Sequence, residues 1–302
     1  MFKKGLVDSL LHMLAESDFR AVDCRGSRSS FDVLAKRGEM LLLVKALANV
    51  EGFSRESASE LKIVSVLLGG VPVVVGERMK SSDLADGVVY DRYGICVSNI
   101  KTVEGIINGR QPRAHSERGN YCVRVDVGLL SEARRRMGLT QESLARRLGV
   151  SKQSVYRYES SGSVSLEVFE RLIDLFGEDF AQSEFKLTFE KPQLPSDSNI
   201  IGASLKRMVR QEFEDIGFNT AMTNAPFDII ASQREKVFSV VSNDWRRLQD
   251  KLSVLEEVSE ILDGYTVCIS ERRVRSSVSV MSPDELSKIK SPSELFKLLS
   301  NQ

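Results

Sequence analysis

The segment from Leu130 to Phe176 constrains this chain more than any other, because helix start and stop signals recur in it at close intervals. It reads LSEARRRMGLTQESLARRLGVSKQSVYRYESSGSVSLEVFERLIDLF, four short helical segments in succession. Thr140 is placed to cap a helix opening with Gln141 and Glu142, its hydroxyl accepting an orphaned backbone N–H. Leu144, Ala145 and Leu148 then share one face at helical spacing. Gly149 ends that helix, since glycine enters the left-handed region with no Cβ to clash. Ser151 caps the next helix, which turns Val155 and Tyr158, or its neighbour Tyr156, inward. Lys152, Gln153, Ser154 and Arg157 are left on the outward face, all hydrogen-bond formers of the kind that reach base edges or phosphates. Ala145 is small enough to let the two helices cross closely. Leu139, Leu144, Leu148, Val155, Leu166, Phe169, Leu172 and Phe176 are the expected core of residues 126–182.

The stretch GLTQESLARRLGVSKQSVYRYE resembles the helix-turn-helix of the Cro and lambda-repressor class, a resemblance covering about a sixth of the chain. It implies double-stranded DNA as the partner. Lys152, Gln153 and Ser154 would face the major groove, and Arg157 would reach a base or the far strand. Gln141 would bind a phosphate at a helix N-terminus, with Thr140, Arg146 and Ser151 as further phosphate contacts. Glu159 would close the recognition helix in a structural role. The loop Ser160-Ser161-Gly162 is longer than the Asn-Gly that often follows in that class.

Charge supports this reading locally. The whole chain carries 42 basic and 42 acidic residues, so it offers no bulk attraction to nucleic acid. Between Ser131 and Tyr158, however, seven basic residues face only Glu132 and Glu142. Upstream, Arg110, Arg113, His115 and Arg118 sit with Pro112 and Gly119 in residues 110–125, which read either as a flexible basic arm or as a solvated linker. Four dispersed cysteines and two histidines indicate neither a zinc site nor a disulfide framework, and histidine-based catalysis is not expected. No apolar run spans a bilayer. The N-terminal MFKKGLVDSLLHMLA reads as an amphipathic helix, and a cytoplasmic location with no cofactor and no membrane partner is expected.

The regions before and after this segment resemble each other. Phe31-Asp32-Val33-Leu34-Ala35 matches Phe227-Asp228-Ile229-Ile230-Ala231, and Ser59 to Arg78 lines up without a gap against Ser253 to Arg272. Both copies open with an amphipathic helix, Gly5 to Ala15 and Ser204 to Phe213. Each reads as helix, strand pair, strand, helix, strand, strand, helix, with the apolar VPVVV run as a buried strand. The pairs Glu77-Arg78 and Glu271-Arg272 read as solvated ion pairs at strand ends, and Gly69-Gly70 as a helix stop.

That order, with Asp32 opening a hairpin whose second strand carries Lys45, resembles the PD-(D/E)xK nuclease fold of Holliday-junction resolvases and restriction enzymes. The resemblance implies two carboxylates on a metal and a lysine near the phosphate. Asp32 and Lys45 could serve, but Leu43 stands where the second carboxylate belongs. In the second copy Asp228 remains, and Ser239 and Val241 align with the other two positions. Glu16 or Glu39 are the candidates to replace the missing carboxylate. Asp32 and Asp228 read as strand-end acceptors of backbone hydrogen bonds rather than metal ligands.

The expected architecture is α/β plus all-α: a degenerate nuclease-like domain over 1–109, the basic linker 110–125, a helical domain over 126–182, and a linker with a second degenerate copy over 183–302. This arrangement resembles an archaeal family of transcriptional regulators. The expected function is sequence-specific DNA binding as a homodimer, with no catalytic residues and no metal. A metal-dependent, structure-selective nuclease targeted by its helix-turn-helix is the alternative.

Overall fold

The structure, a computed structural model, describes residues 3–25, 29–80, 82–112, 114–117, 120–177, 187–189, 191–192, 204–223, 226–272 and 278–300. The chain begins with α1 (Lys3–Glu16), β1 (Arg20–Asp23), β2 (Val33–Arg37), β3 (Met40–Asn49), α2 (Arg55–Leu68) and β4 (Val71–Met79). It continues through β5 (Ser82–Asp83), β6 (Val88–Arg92), β7 (Ile95–Ser98), α3 (Ile100–Ile107), β8 (Ala114–Glu117) and β9 (Asn120–Arg124). Next come α4 (Val127–Arg136), α5 (Gln141–Leu148), α6 (Lys152–Ser161), β10 (Ser163–Ser165) and α7 (Leu166–Phe176). The last stretch holds α8 (Ser204–Ile216), β11 (Asn219–Met222), β12 (Ile229–Ser232), β13 (Lys236–Val241), α9 (Trp245–Leu262), β14 (Tyr265–Ile269), β15 (Ser279–Met281), α10 (Pro283–Leu286) and α11 (Pro292–Ser300). Two compact units result, one of Met1–Val74 with Phe189–Gln302, the other of Val75–Thr188.

The first unit holds one hairpin from each repeat copy, and the two are built alike. The β1–β2–β3 ladder is antiparallel, as is β11–β12–β13, and β14 and β15 then join in parallel. In each copy a left-handed residue, Asp18 or Gly217, follows the first helix. The next residue then donates its N–H back to the helix: Phe19 to the Leu14 carbonyl at 2.9 Å, Phe218 to that of Phe213 at 3.0 Å.

The aspartates match more closely still. The Asp32 N–H donates to the Val44 carbonyl at 2.8 Å and its Oδ2 accepts the Ala46 N–H at 2.9 Å. The Asp228 N–H donates to the Ser239 carbonyl at 2.7 Å and its Oδ2 accepts the Val241 N–H at 2.9 Å. Both carboxylates therefore act as acceptors that pin a strand end, as strand-end aspartates do.

This geometry corrects the alignment of the second copy. Val44 corresponds to Ser239, so Leu43 corresponds to Phe238 and Lys45 to Val240, not to Ser239 and Val241. The cause is the hairpin: its ladder pairs Val33 to Arg37 in the first copy but only Ile229 to Ser232 in the second, while the turn is one residue longer. The glycines confirm the corrected register. A Cβ on Gly70 would lie 2.5 Å from Leu43 Cδ1, and one on Gly264 would lie 2.4 Å from Phe238 Cε2. Each glycine is thus required by the apolar side chain packed on it, beyond the helix stop made by Gly69 at φ 76°.

Helix α9 packs on β13 and β14 of its own sheet and also on β1 and β2 of the first copy. Two ion pairs border that contact, Arg20 with Glu260 at 3.4 Å and Lys36 with Asp263 at 2.7 Å. Lys236 donates from Nζ to the Leu68 carbonyl at 3.0 Å, at the C-terminus of α2. Burial, together with the charge of Lys36, holds the Lys236 ammonium below its ordinary pKa.

In the second unit the strand order is β4–β7–β6–β8–β9–β10, with β5 on β4. Two expectations are corrected here. Residues 110–125 are not merely an arm: β8 pairs in parallel with β6 and antiparallel with β9. The side chains of Arg113, His115 and Arg118 lie outside the described residues. Nor is the helical domain purely helical, because β10 pairs with β9, Val164 opposite Val123. Val125 and Val164, 3% and 0% exposed, join Leu130, Leu144, Ala145, Leu148, Val155, Val168 and Leu172 in its core. Leu139, Phe169 and Phe176 pack at its margin, and the Leu166 side chain lies outside the described residues.

Candidate nucleic-acid interface

The caps form where the side chains predict them. Thr140 Oγ1 accepts the Ser143 N–H at 3.1 Å, and Ser151 Oγ accepts the Ser154 N–H at 3.1 Å. Gly149 takes φ 66° between α5 and α6. Arg171, unremarked in the sequence, donates to the Leu148 carbonyl at 2.7 Å and so finishes the cap of α5 from α7. With Val155 buried and Tyr158 packed against the core, the outer face of α6 is set: Lys152, Gln153 and Arg157 are exposed and Ser154 half-buried. Arg157 donates to Ser154 Oγ at 3.3 Å, which restricts the long side chain to one side of the helix.

Glu159 is the keystone beneath this face. Its carboxylate receives Arg134 Nε at 2.5 Å and Nη2 at 3.2 Å, and Gln141 Nε2 at 2.7 Å, tying α4 and α5 to α6. Arg134 also donates to the Leu139 carbonyl at 2.8 Å. The Arg134 and Glu159 side chains are only 12% and 7% exposed, so water competes little for the pair. Burial pushes the Glu159 carboxyl up, but the hydrogen bonds from Arg134 and Gln141 outweigh it and hold the group below its ordinary value. The amide of Gln141, read as a phosphate donor, gives one N–H to Glu159; Arg146 and Arg147 are exposed.

Tyr156, the alternative to Tyr158 for the inward position, lies on the exposed side of α6. It is 58% exposed, one helical turn from Lys152 and Gln153 and adjacent to Arg157. Its spacing carried the signal, but two tyrosines two residues apart left open which one packs inward.

In both aspartate sites the carboxylate is engaged by lysine and backbone donors. Asp32 is buried, its Oδ1 facing Lys45 Nζ at 3.5 Å while Oδ2 takes a backbone N–H. Lys45 also donates to the Ser29 carbonyl at 3.1 Å, and fully buried Leu43 contributes no oxygen. In the second copy Asp228 Oδ1 accepts both Lys206 at 2.7 Å and Lys251 at 2.8 Å, two ammoniums where a cation would bind. Glu39 lies exposed in the β2–β3 turn, and Glu16 pairs with His12 at 3.6 Å on the exposed side of α1. Among the described residues no cluster of three or more His, Cys, Asp and Glu side chains could hold a metal ion. Glu271 accepts Asn243 Nδ2 at 2.7 Å at the end of β14, and Arg78 lies opposite Asp83 in the ladder.

The family profile described as a PD-(D/E)XK superfamily domain matches residues 3–112, and that described as a helix-turn-helix matches residues 130–182. Along almost its whole length the chain is similar to proteins named "putative HTH-type transcriptional regulatory protein". The one from Archaeoglobus fulgidus is 29% identical over 99% of this chain and 98% of its own. Those from Pyrococcus furiosus and Thermoplasma acidophilum are also 29% identical, with the same coverage. No solved structure matches the chain. Among the described residues no helix is long and apolar enough to cross a membrane.

Proposed function

We propose that this chain regulates transcription by binding double-stranded DNA in a sequence-specific manner; its similarity to proteins named as putative HTH-type transcriptional regulators and its helix-turn-helix match support the reading. Helix α6 lies in the major groove in this reading, with Lys152, Gln153 and Arg157 at base edges and Ser154 beside them. Thr140, Arg146 and Ser151 meet phosphates, which set register and affinity without reading sequence. The single observation that carries the reading is the polar, exposed face of a helix whose opposite side is anchored through Val155 and Glu159. One small helix reads a half-site, so two copies bind a pseudo-palindrome.

The domain division 1–109, 110–125, 126–182 and 183–302 belongs to the same proposal, with the flanking copies as nuclease-like folds that no longer cleave. Asp228 supports that for the second copy, since it would have to give up Lys206 and Lys251 before a metal could enter, and buried Leu43 supports it for the first.

The test is selection of preferred DNA from a random pool, followed by titration of variants. Gln153→Ala and Arg157→Ala should each lose about 1–3 kcal/mol of discrimination between selected and random DNA. Arg146→Ala should weaken all sequences alike and flatten the salt dependence. Undiminished preference in the first two variants would sink the assignment of α6. Magnesium- or manganese-dependent cleavage that disappears in Asp32→Ala would reinstate the nuclease.

A further inference from the structure

We propose that the outer face of α4 is where two copies of this chain pair on adjacent half-sites, an inference that rests on the DNA-reading role above. Helix α4 is apolar on two sides. Its inner side gives Leu130 to the core and Arg134 to Glu159. Its outer side carries Leu129 and, at the C-cap, Met137, 42% and 48% exposed, with half-buried Ala133 one turn from each and packed partly against the core. Leu129 and Met137 are thus two of the eight large exposed hydrophobics among the described residues. Leu175 and Phe176, at the end of α7, line the same groove.

The occupant follows from symmetry and charge. Leu129 and Met137 stand four residues either side of Ala133. A two-fold axis passing over Ala133 would set Leu129 of one copy against Met137 of the other, and the small alanine allows the helices a close crossing. Beside this apolar row runs a charged one, Glu132 and Arg136, an exposed pair 2.7 Å apart within one copy. When two helices pack antiparallel, like flanks meet and run in opposite directions. Glu132 then faces Arg136 of the second copy, and Arg136 faces its Glu132. A face that complements itself in both shape and charge is what a two-fold contact needs.

The stripe is small. Stable interfaces use roughly 20–30 residues a side, so this contact is weak between free molecules, forming in the free protein only at high concentration, and is strengthened when DNA holds two copies close together.

Full-length protein is titrated onto selected DNA with one or two half-sites, and the ratio of the two affinities is compared among variants. The wild-type chain should bind the two-site DNA at least about tenfold more tightly. Leu129→Asp with Met137→Asp should bring that ratio near unity, as should Glu132→Arg or Arg136→Glu alone. The double reversal Glu132→Arg with Arg136→Glu should restore it, and Ala133→Cys should form a disulfide-linked pair on two-site DNA.

An unchanged ratio in the aspartate variant overturns the proposal. So does a lowered melting temperature with an unchanged ratio, which would show that residues of the same chain cover this face. Sedimentation of the concentrated free chain, wild type against aspartate variant, tests the face without DNA. A selection that returns no preferred sequence would therefore sink the reading of α6 while leaving this contact to be judged on its own. Equal sedimentation of the two proteins would overturn it.

Discussion

Glu159 shows how one residue can organise a recognition surface without touching its target. It sits on the inner side of α6, two residues before the helix ends at Ser161, and the ionic grip of Arg134 is nearly dry. Removing one partner of such a pair leaves the other charge buried. Arg134→Ala should therefore lower the stability of this unit by about 3 kcal/mol, read as a shift in denaturant midpoint. The same bond makes the unit acid-sensitive. The folded carboxyl titrates below its ordinary 4.5, so the stability it contributes is present above that value and is lost as pH falls through the lower folded one. Glu159→Gln should flatten the loss of stability across that interval, measured by denaturation at a series of pH values. An unaltered acid limb would show that other carboxylates dominate. Asp228 is a second residue of this kind, placed between two ammoniums and a backbone amide.

At the scale of elements, the strand pair β9–β10 decides where the helix-turn-helix begins. Periodicity from Asp126 onward accounts for the four helices but not for Val125, whose N–H donates to the Gly162 carbonyl at 2.8 Å and whose side chain is buried. Gly162, at φ 69°, would place a Cβ 2.6 Å from the Val125 carbonyl oxygen, so the strand and the end of α6 meet with no room for a side chain. A fragment starting at Asp126 should melt lower than one starting at Asn120, by an amount reflecting burial of Val123 and Val125 at about 1.5–3 kcal/mol per side chain. Circular dichroism melts of the two fragments measure this; equal midpoints would make β9 dispensable. Gly162→Ala should act in the same direction within the full chain.

At the scale of the whole molecule, the chain leaves one compact unit at Val74 and returns to it at Phe189. The C-terminal copy is part of that unit: α9 packs over β1, the edge strand of its sheet. Truncation after residue 188 should therefore leave an association-prone protein. Light scattering should show aggregates, and supplying residues 189–302 in trans should reduce them. A truncated chain that stays monodisperse and equally stable would argue that α9 is an accessory.

What the sequence determined by itself was local. The caps at Thr140 and Ser151, the turn at Gly149 and the buried Val155 depend on neighbours within one or two turns of helix, and each is legible as spacing. The repeat was legible too, since an apolar strand following a glycine stop leaves a pattern. The structure decided what depends on partners distant in sequence. Arg134 and Gln141 meet Glu159 from other helices, a contact that spacing within one helix does not show. Tyr158 rather than Tyr156 packs inward because α6 settles against a core whose shape α4, α5 and β10 share. Leu43 corresponds to Phe238 because a ladder one pair shorter moves the register, and register is a property of two strands together. Lys206 and Lys251 lie 22 and 23 residues from Asp228, on helices flanking the hairpin, and only the packing of α8 and α9 places both ammoniums on one carboxylate oxygen.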